Sequence, residues 1–155
     1  MLTGVHFILT YMCTYECDHC FLSCSPWTQG TFTHRQVEDV LRELQKIGTV
    51  EAVSFEGGEP FLFHPLLAAS IRSARQAGFK TAIETNTYWA TTEADAELWL
   101  QPLVDAGLSM LEVSDDAFHH EDEYVDACHM CSKLCLALVQ KFPRLLAPGQ
   151  VYGLE

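Results

Sequence analysis

The chain has 155 residues, 48% of them apolar and 19% charged. That length and balance suit one globular domain with a core of its own rather than a disordered segment. The formal net charge is -12, no basic patch is visible and no apolar run is long enough to span a bilayer, which weighs against a nucleic-acid partner and a membrane anchor.

Residues 5–11 are β-branched and aromatic and predict a first strand. They lack a basic flank and a cleavage site, so they do not read as a signal peptide. A cysteine loop follows, with Cys13, Cys17 and Cys20 in the order C-x3-C-x2-C. Residues 25–32, with Pro26 and Gly30, read as extended loop. Thr33 and Gln36 form a capping-box pattern that opens a helix. Its apolar face is Val37, Val40, Leu41, Leu44 and Ile47, and Gly48 stops it.

A second strand is predicted over 50–55, ending in Glu56-Gly57-Gly58-Glu59-Pro60. A helix over 65–77 is closed by Gly78, and a third strand over 79–84 ends in Thr85-Asn86. Thr92 and Asp95 cap a further helix that runs to Ala106. The fourth strand, 110–113, ends in Ser114-Asp115-Asp116, and a last helix fits 122–141. Alternating strands and helices give an α/β fold with parallel strands, either a doubly wound sheet or a barrel. In both, ligands bind at the carboxyl ends of the strands, where every unusual polar motif of this chain lies. Those motifs are expected to share one rim.

Thiolates are the usual protein ligands of iron–sulfur clusters, and a four-iron cube normally takes four of them. Three cysteines hold three corners and leave one iron open. The seven cysteines fall in two groups, four within residues 13–24 and three within 128–135. Such clustering suggests metal and a reducing compartment, so the cytoplasm is the expected location. Cys24 follows Cys20 at x3 spacing and could be either a fourth ligand or a buried or free thiol. His19 with the three thiolates would satisfy tetrahedral zinc, but reads instead as a solvated spacer facing away from the metal. Cys128, Cys131 and Cys135 mirror the first loop, yet fall on one stripe with Tyr124, Leu138 and Phe142 and read as helix packing.

The cysteine loop followed by Phe21, together with Gly57-Gly58-Glu59-Pro60 after the second strand, resembles the radical S-adenosylmethionine (radical SAM) superfamily over about residues 5–120. The resemblance implies a partial, TIM-like (βα) barrel with about four βα units. It implies a [4Fe–4S] cluster on Cys13, Cys17 and Cys20, with the amino and carboxylate groups of S-adenosylmethionine on the fourth iron. One-electron cleavage then gives a 5′-deoxyadenosyl radical. Gly57 and Gly58 lack Cβ, so backbone can approach a ligand, and Glu59 adds negative charge nearby. Gly57, Gly58, Glu59 and Pro60 would receive the methionine end. Thr85, Asn86, Ser114 and Asp116 resemble positions that meet the ribose or carboxylate, and Phe21 is similar to the aromatic beside the adenine. Phe118 and His119 follow that last motif, and His119 reads as a solvated loop residue. A peptide or protein substrate, and flavodoxin or ferredoxin as electron donor, are the further expectations.

The family core usually has six such units, whereas residues 1–155 read as one incomplete core domain that lacks the last strands, with 150–154 the only candidate for a fifth. An uncovered sheet edge is hazardous, which favours either a homo-oligomer or a missing carboxy-terminal part. The alternative reading is a non-catalytic module that binds zinc, an iron–sulfur cluster or S-adenosylmethionine without turnover.

Overall fold

In the computed structural model, which describes residues 1–114, strands and helices alternate from the start. β1 (Gly4–Thr10) leads through the cysteine loop to α1 (His34–Ile47), β2 (Ala52–Gly57) and a short 3-10 turn (Pro60–Phe63). There follow α2 (His64–Gln76), β3 (Lys80–Thr85), α3 (Glu93–Ala106) and β4 (Met110–Val113). The capping signals act as the sequence expects. Thr33 accepts from the Gln36 amide and the Gln36 side chain accepts from the Thr33 amide, while Gly48 closes α1 in the left-handed region at φ 72°. Thr92 accepts from the Asp95 amide to open α3, and Gly107 closes it. The predicted last helix, the 150–154 strand and the second cysteine group lie outside the described residues.

All strand pairs are parallel and the order is β1-β2-β3-β4, the chain order itself. A doubly wound sheet reverses direction part-way across, so this order selects the barrel alternative. The four-stranded sheet is not closed. Its helices stack side by side, α1 on α2 and α2 on α3.

Strand alternation then divides the residues between two faces. Phe7, Leu9, Val53, Phe55 and Ile83 point to the helices and are almost fully buried with Leu41, Leu67, Ile71, Leu100 and Leu103. Phe7 stacks on Phe55 at 5.2 Å between ring centroids and meets Phe32 edge-on at 6.0 Å. The opposite face carries His6, Ser54, Glu56, Ala82, Glu84, Met110 and Glu112. That face is the inside of the partial barrel.

The cysteine loop is pinched at its base. The Tyr11 amide donates to the Gly30 carbonyl at 2.9 Å and the Cys13 amide to the Ser25 carbonyl at 3.1 Å. The Thr10 and Thr31 hydroxyls are 2.9 Å apart. This stem lies directly on the turn after β2. The Gly58 amide donates to the Thr10 carbonyl at 2.7 Å and the Glu59 amide to the Met12 carbonyl at 2.8 Å. A Cβ on Gly58 would stand 2.1 Å from the Met12 carbonyl oxygen, and one on Gly57, at φ 130°, 2.3 Å from that of Thr10. The two glycines are thus required by the cysteine loop's own backbone.

Gly58→Ala is therefore expected to cost about 1–3 kcal/mol, the usual range for forced overpacking. Gly4→Ala, whose Cβ would meet nothing nearer than 3.9 Å, serves as the control. Urea midpoints compare the two, and equal midpoints would remove the claim that this seam is tight.

Candidate active site

At the carboxyl ends of the strands lies one cavity of about 370 Å³. Its lining includes Cys13, Cys17 and Cys20, then Phe21, Gly57, Gly58, Thr85, Asn86 and Ser114. Nine of the twelve residues that the sequence singles out as cofactor or metal ligands thus converge. Glu59 and Pro60 are buried behind the lining, and Asp116, like Phe118 and His119, lies outside the described residues. The cavity falls within the range usual for small-molecule sites.

The cysteine loop is built to present sulfur. Two turns, from the Cys20 amide to the Cys17 carbonyl and from the Ser23 amide to the Cys20 carbonyl, both at 3.0 Å, fold it back on itself. The Tyr15 amide points at Cys13 Sγ and the Cys24 amide at Cys20 Sγ, each at 3.4 Å. Asn86 Nδ2 approaches Cys13 Sγ at 3.7 Å and donates to Thr14 Oγ1 at 2.9 Å. Donors of this kind favour the thiolate form and tune the potential of an iron–sulfur cluster. Burial works against them and pushes the Cys13 thiol up.

None of the four cysteines of the loop is in a disulfide. Cys24 is buried and lines the same cavity, and burial together with the neighbouring sulfurs pushes it up to about 12. His19 is exposed but also lines the cavity, so it does not face away as the sequence reading expects. Among the described residues, no three His, Cys, Asp or Glu side chains gather closely enough to hold a single metal ion. Tetrahedral zinc needs its ligands on one point. A cube does not, because each thiolate takes a separate iron. Three thiols on one cavity wall, with amides aimed at two of them, fit the cube.

Glu59 differs from its expected role. Its carboxylate is fully buried beneath the loop, where one oxygen accepts from the Phe61 amide at 3.0 Å and the other from the Asn86 amide at 2.8 Å. The Thr85 hydroxyl lies 3.0 and 3.1 Å from the two oxygens and also accepts from Trp89 Nε1 at 3.0 Å. Glu59 thereby ties the end of β2 to the end of β3. Trp89 stacks on Phe61 at 4.2 Å and closes the back of this joint. Thr87, at φ 61°, turns the chain through a region that β-branched residues rarely occupy, just after Asn86. The sequence reading missed Trp89, Thr87 and the glutamates Glu56 and Glu84, which line the cavity. A single glutamate near the carboxyl end of each of these strands, Glu56 in β2 and Glu84 in β3, was the available signal.

A family model for the Radical SAM superfamily matches residues 7–134. The chain belongs to that superfamily. YydG of Bacillus subtilis strain 168, a protein named for peptide biosynthesis, is 23% identical over 107 residues, 69% of this chain and 34% of that protein. An S-adenosylmethionine-dependent nucleotide dehydratase of Selenomonas ruminantium is 35% identical over 86 residues, 56% of this chain and 30% of that protein. The chain spans about a third of the length of these relatives. Methylornithine synthase (PylB) has the same fold at a TM-score of 0.58 and 12% identity, covering 88% of this chain and 42% of that one. Native anSMEcpe with bound AdoMet superimposes at 0.55 and 16% identity, covering 90% and 42%. The superfamily consists of enzymes that use a [4Fe–4S] cluster and S-adenosylmethionine and generally need a reductant.

Burial pushes the Glu59 carboxyl up to about 7, against the donors that pull it down. An unfolded glutamate loses its proton near about 4.3. The folded state therefore favours the protonated form, and this contribution to stability is complete below about 4.3 and lost as pH rises toward 7. Glu59→Gln removes the charge but turns an amide N–H toward a backbone donor, a mismatch worth about 1–3 kcal/mol. The variant is expected to be less stable at low pH and to lose less on going from about pH 5 to about pH 8. Urea midpoints at both pH values test this; parallel losses in the two proteins would refute it.

Proposed function

We propose that Cys13, Cys17 and Cys20 hold a [4Fe–4S] cluster and that S-adenosylmethionine binds beside it in the same cavity, making this chain a radical SAM enzyme or the cofactor-binding part of one. The observation that carries the reading is the convergence of these thiols with Gly57, Gly58, Asn86 and Ser114 around one cavity at the strand ends. Held by these residues, the two cofactors would supply one-electron radical chemistry on a substrate.

The chain's own residues bind and orient. Amides of Tyr15 and Cys24 hydrogen-bond two sulfurs and set the facing of the loop. Gly57 and Gly58, having no side chain, would let backbone carbonyls approach the ammonium of the methionine end. Asn86, held by Thr14 and by the Tyr88 amide at 3.2 Å, offers the cavity a fixed amide group. Ser114 Oγ donates to Glu84 at 3.0 Å and stands at the rim assigned to the ribose. Phe21, 89% exposed at the mouth, gains a face to cover when adenine stacks on it. Thr85, Glu59 and Pro60 act through position: Thr85 and Glu59 brace the joint between β2 and β3, and Pro60 starts the turn behind it. Asp116 joins the ribose side on the strength of its sequence alone.

A peptide or protein substrate is the reading favoured by similarity to YydG. Flavodoxin or ferredoxin is the electron donor expected for such chemistry. Four neighbouring cysteines without a disulfide fit a cytoplasmic setting.

Anaerobic reconstitution of the chain is expected to take up about four irons and four sulfides. Dithionite and S-adenosylmethionine should then yield 5′-deoxyadenosine. Cys17→Ala should lose the cluster. Cluster-loaded protein that leaves S-adenosylmethionine intact would overturn the enzymatic reading; retention of iron by Cys17→Ala would overturn the ligand set.

A further inference from the structure

We infer that the inner face of the sheet carries a recognition site for a cationic nitrogen group of the substrate, an ammonium or guanidinium, formed by Glu56, Glu84 and Glu112. The inference rests on the proposed cofactor site, because Glu56 and Glu84 line the same cavity as the cysteines.

The three glutamates stand abreast. Glu84 is the direct register partner of Glu112 across β3 and β4. Phe55 pairs with Ile83, so Glu56 and Glu84 are the next residues along the same ladder. Neighbouring parallel strands run about 4.8 Å apart, and like charges facing one another across that gap destabilise a sheet. Three carboxylates at one height on one face are therefore a cost to the fold.

Titratable and neutral groups among the described residues offset it in part, and no permanent positive charge does. Among the described residues, no Lys or Arg forms an ion pair with any of the three. His6 lies 2.9 Å from Glu56, and Ser114 donates to Glu84. Burial, and then a hydrogen bond shared with the Glu84 carboxyl, push the Glu56 carboxyl up, and burial does the same for Glu112, so the row relieves part of its repulsion by holding a proton where a cation could stand. Beside the row is a second, independent sign of a missing partner. Ser54 lies one strand step from Glu56 on the same face, between His6 of β1 and Ala82 of β3 in register. It is only 8% exposed, and its hydroxyl has no hydrogen-bond partner. A buried hydroxyl left unpaired on a polar face is a cost that a bound donor removes.

The partner must bring several N–H donors and positive charge into a space walled by low-dielectric strands. An ammonium has three donors and a guanidinium five. A neutral or anionic group would leave the row uncompensated. The row begins immediately before Gly57 and Thr85, so a cation held there keeps its attached carbon chain in the cavity that the cofactors share. Basic amino-acid side chains and free amines carry the same chemistry, and the test separates them.

The cluster-loaded chain with S-adenosylmethionine is titrated calorimetrically with an acetylated, amidated glycine–lysine–glycine peptide, its norleucine counterpart and free cadaverine. The wild type is expected to prefer the lysine peptide over the norleucine peptide by at least about tenfold, the ratio that one charge-assisted hydrogen bond supports. Binding of cadaverine with equal strength assigns a small amine; weaker binding assigns a peptide. In Glu56→Gln/Glu112→Gln the lysine-to-norleucine ratio should fall to near one. A misfolded variant would lose both peptides and its iron, so Glu112→Gln alone, with iron content measured, provides the milder arm, and a lowered ratio is expected there too. No lysine preference in the wild type, or a ratio unmoved in either variant, overturns the inference. A parallel loss of S-adenosylmethionine affinity would assign the row to that cofactor and overturn it as well. Failure of the cofactor reading appears separately, as absent iron uptake or absent 5′-deoxyadenosine.

Discussion

The site depends on a seam in which two backbones touch with no side chain between them. The stem of the cysteine loop, Thr10 to Cys13, rests on Gly57 and Gly58, joined by the Gly58 and Glu59 amides. Nothing larger than hydrogen fits at either glycine. The seam fixes where sulfur sits relative to the strand ends, and so whether one ligand can touch both. The two family motifs are thus one structural object. The glycine pair is needed to seat the cysteines even before any ligand is considered, which gives it a reason beyond close approach to a cofactor.

Glu59 extends this seam to the third strand. A fully buried carboxylate is costly unless donors surround it, and here the Phe61 and Asn86 amides and the Thr85 hydroxyl do so. The arrangement uses up the polar groups of Thr85 and Glu59, so these two residues brace rather than grip. Asn86 is what the brace delivers. Its amide nitrogen reaches Thr14 and approaches Cys13, closing a circuit from β1 through β2 and β3 back to the cysteine loop. Because each link is a directed hydrogen bond at a strand end, the rim behaves as one unit, and slippage at any strand would shift all of it.

Much of this was legible in the sequence, for reasons that differ by element. Helix ends were readable because capping is local: Thr33 with Gln36, and Thr92 with Asp95, solve the problem of free amides within four residues. The second strand begins at Ala52 rather than at residue 50, since the Glu51 amide is held by the Thr3 carbonyl and its own carbonyl by the Lys80 amide before the ladder starts. The turn at Pro60–Phe63 was not anticipated, because it is organised by Glu59 capping the Phe61 amide, a contact made only once Glu59 is drawn inside by β3. The convergence of the polar motifs was legible from topology. Which of them face the cavity and which lie behind it was not, because that depends on long-range partners such as Asn86 and Cys13, 73 positions apart.

The same alternation that builds the core also gives the cavity two chemically different walls. On the β1 side are soft sulfurs with amide donors aimed at them. On the β2 to β4 side are hard oxygens, those of Glu56, Glu84 and Ser114. Soft thiolates favour iron, and hard carboxylates favour small cations or protonated nitrogen. A ligand that spans the cavity therefore meets a gradient and has one preferred direction. On the proposed function, orientation is what such chemistry would ask of the protein, because a reactive species takes the nearest hydrogen and selectivity comes from where the substrate is held. Two unlike walls of one cavity, joined through one hydrogen-bonded rim, would give the fold a means to hold it.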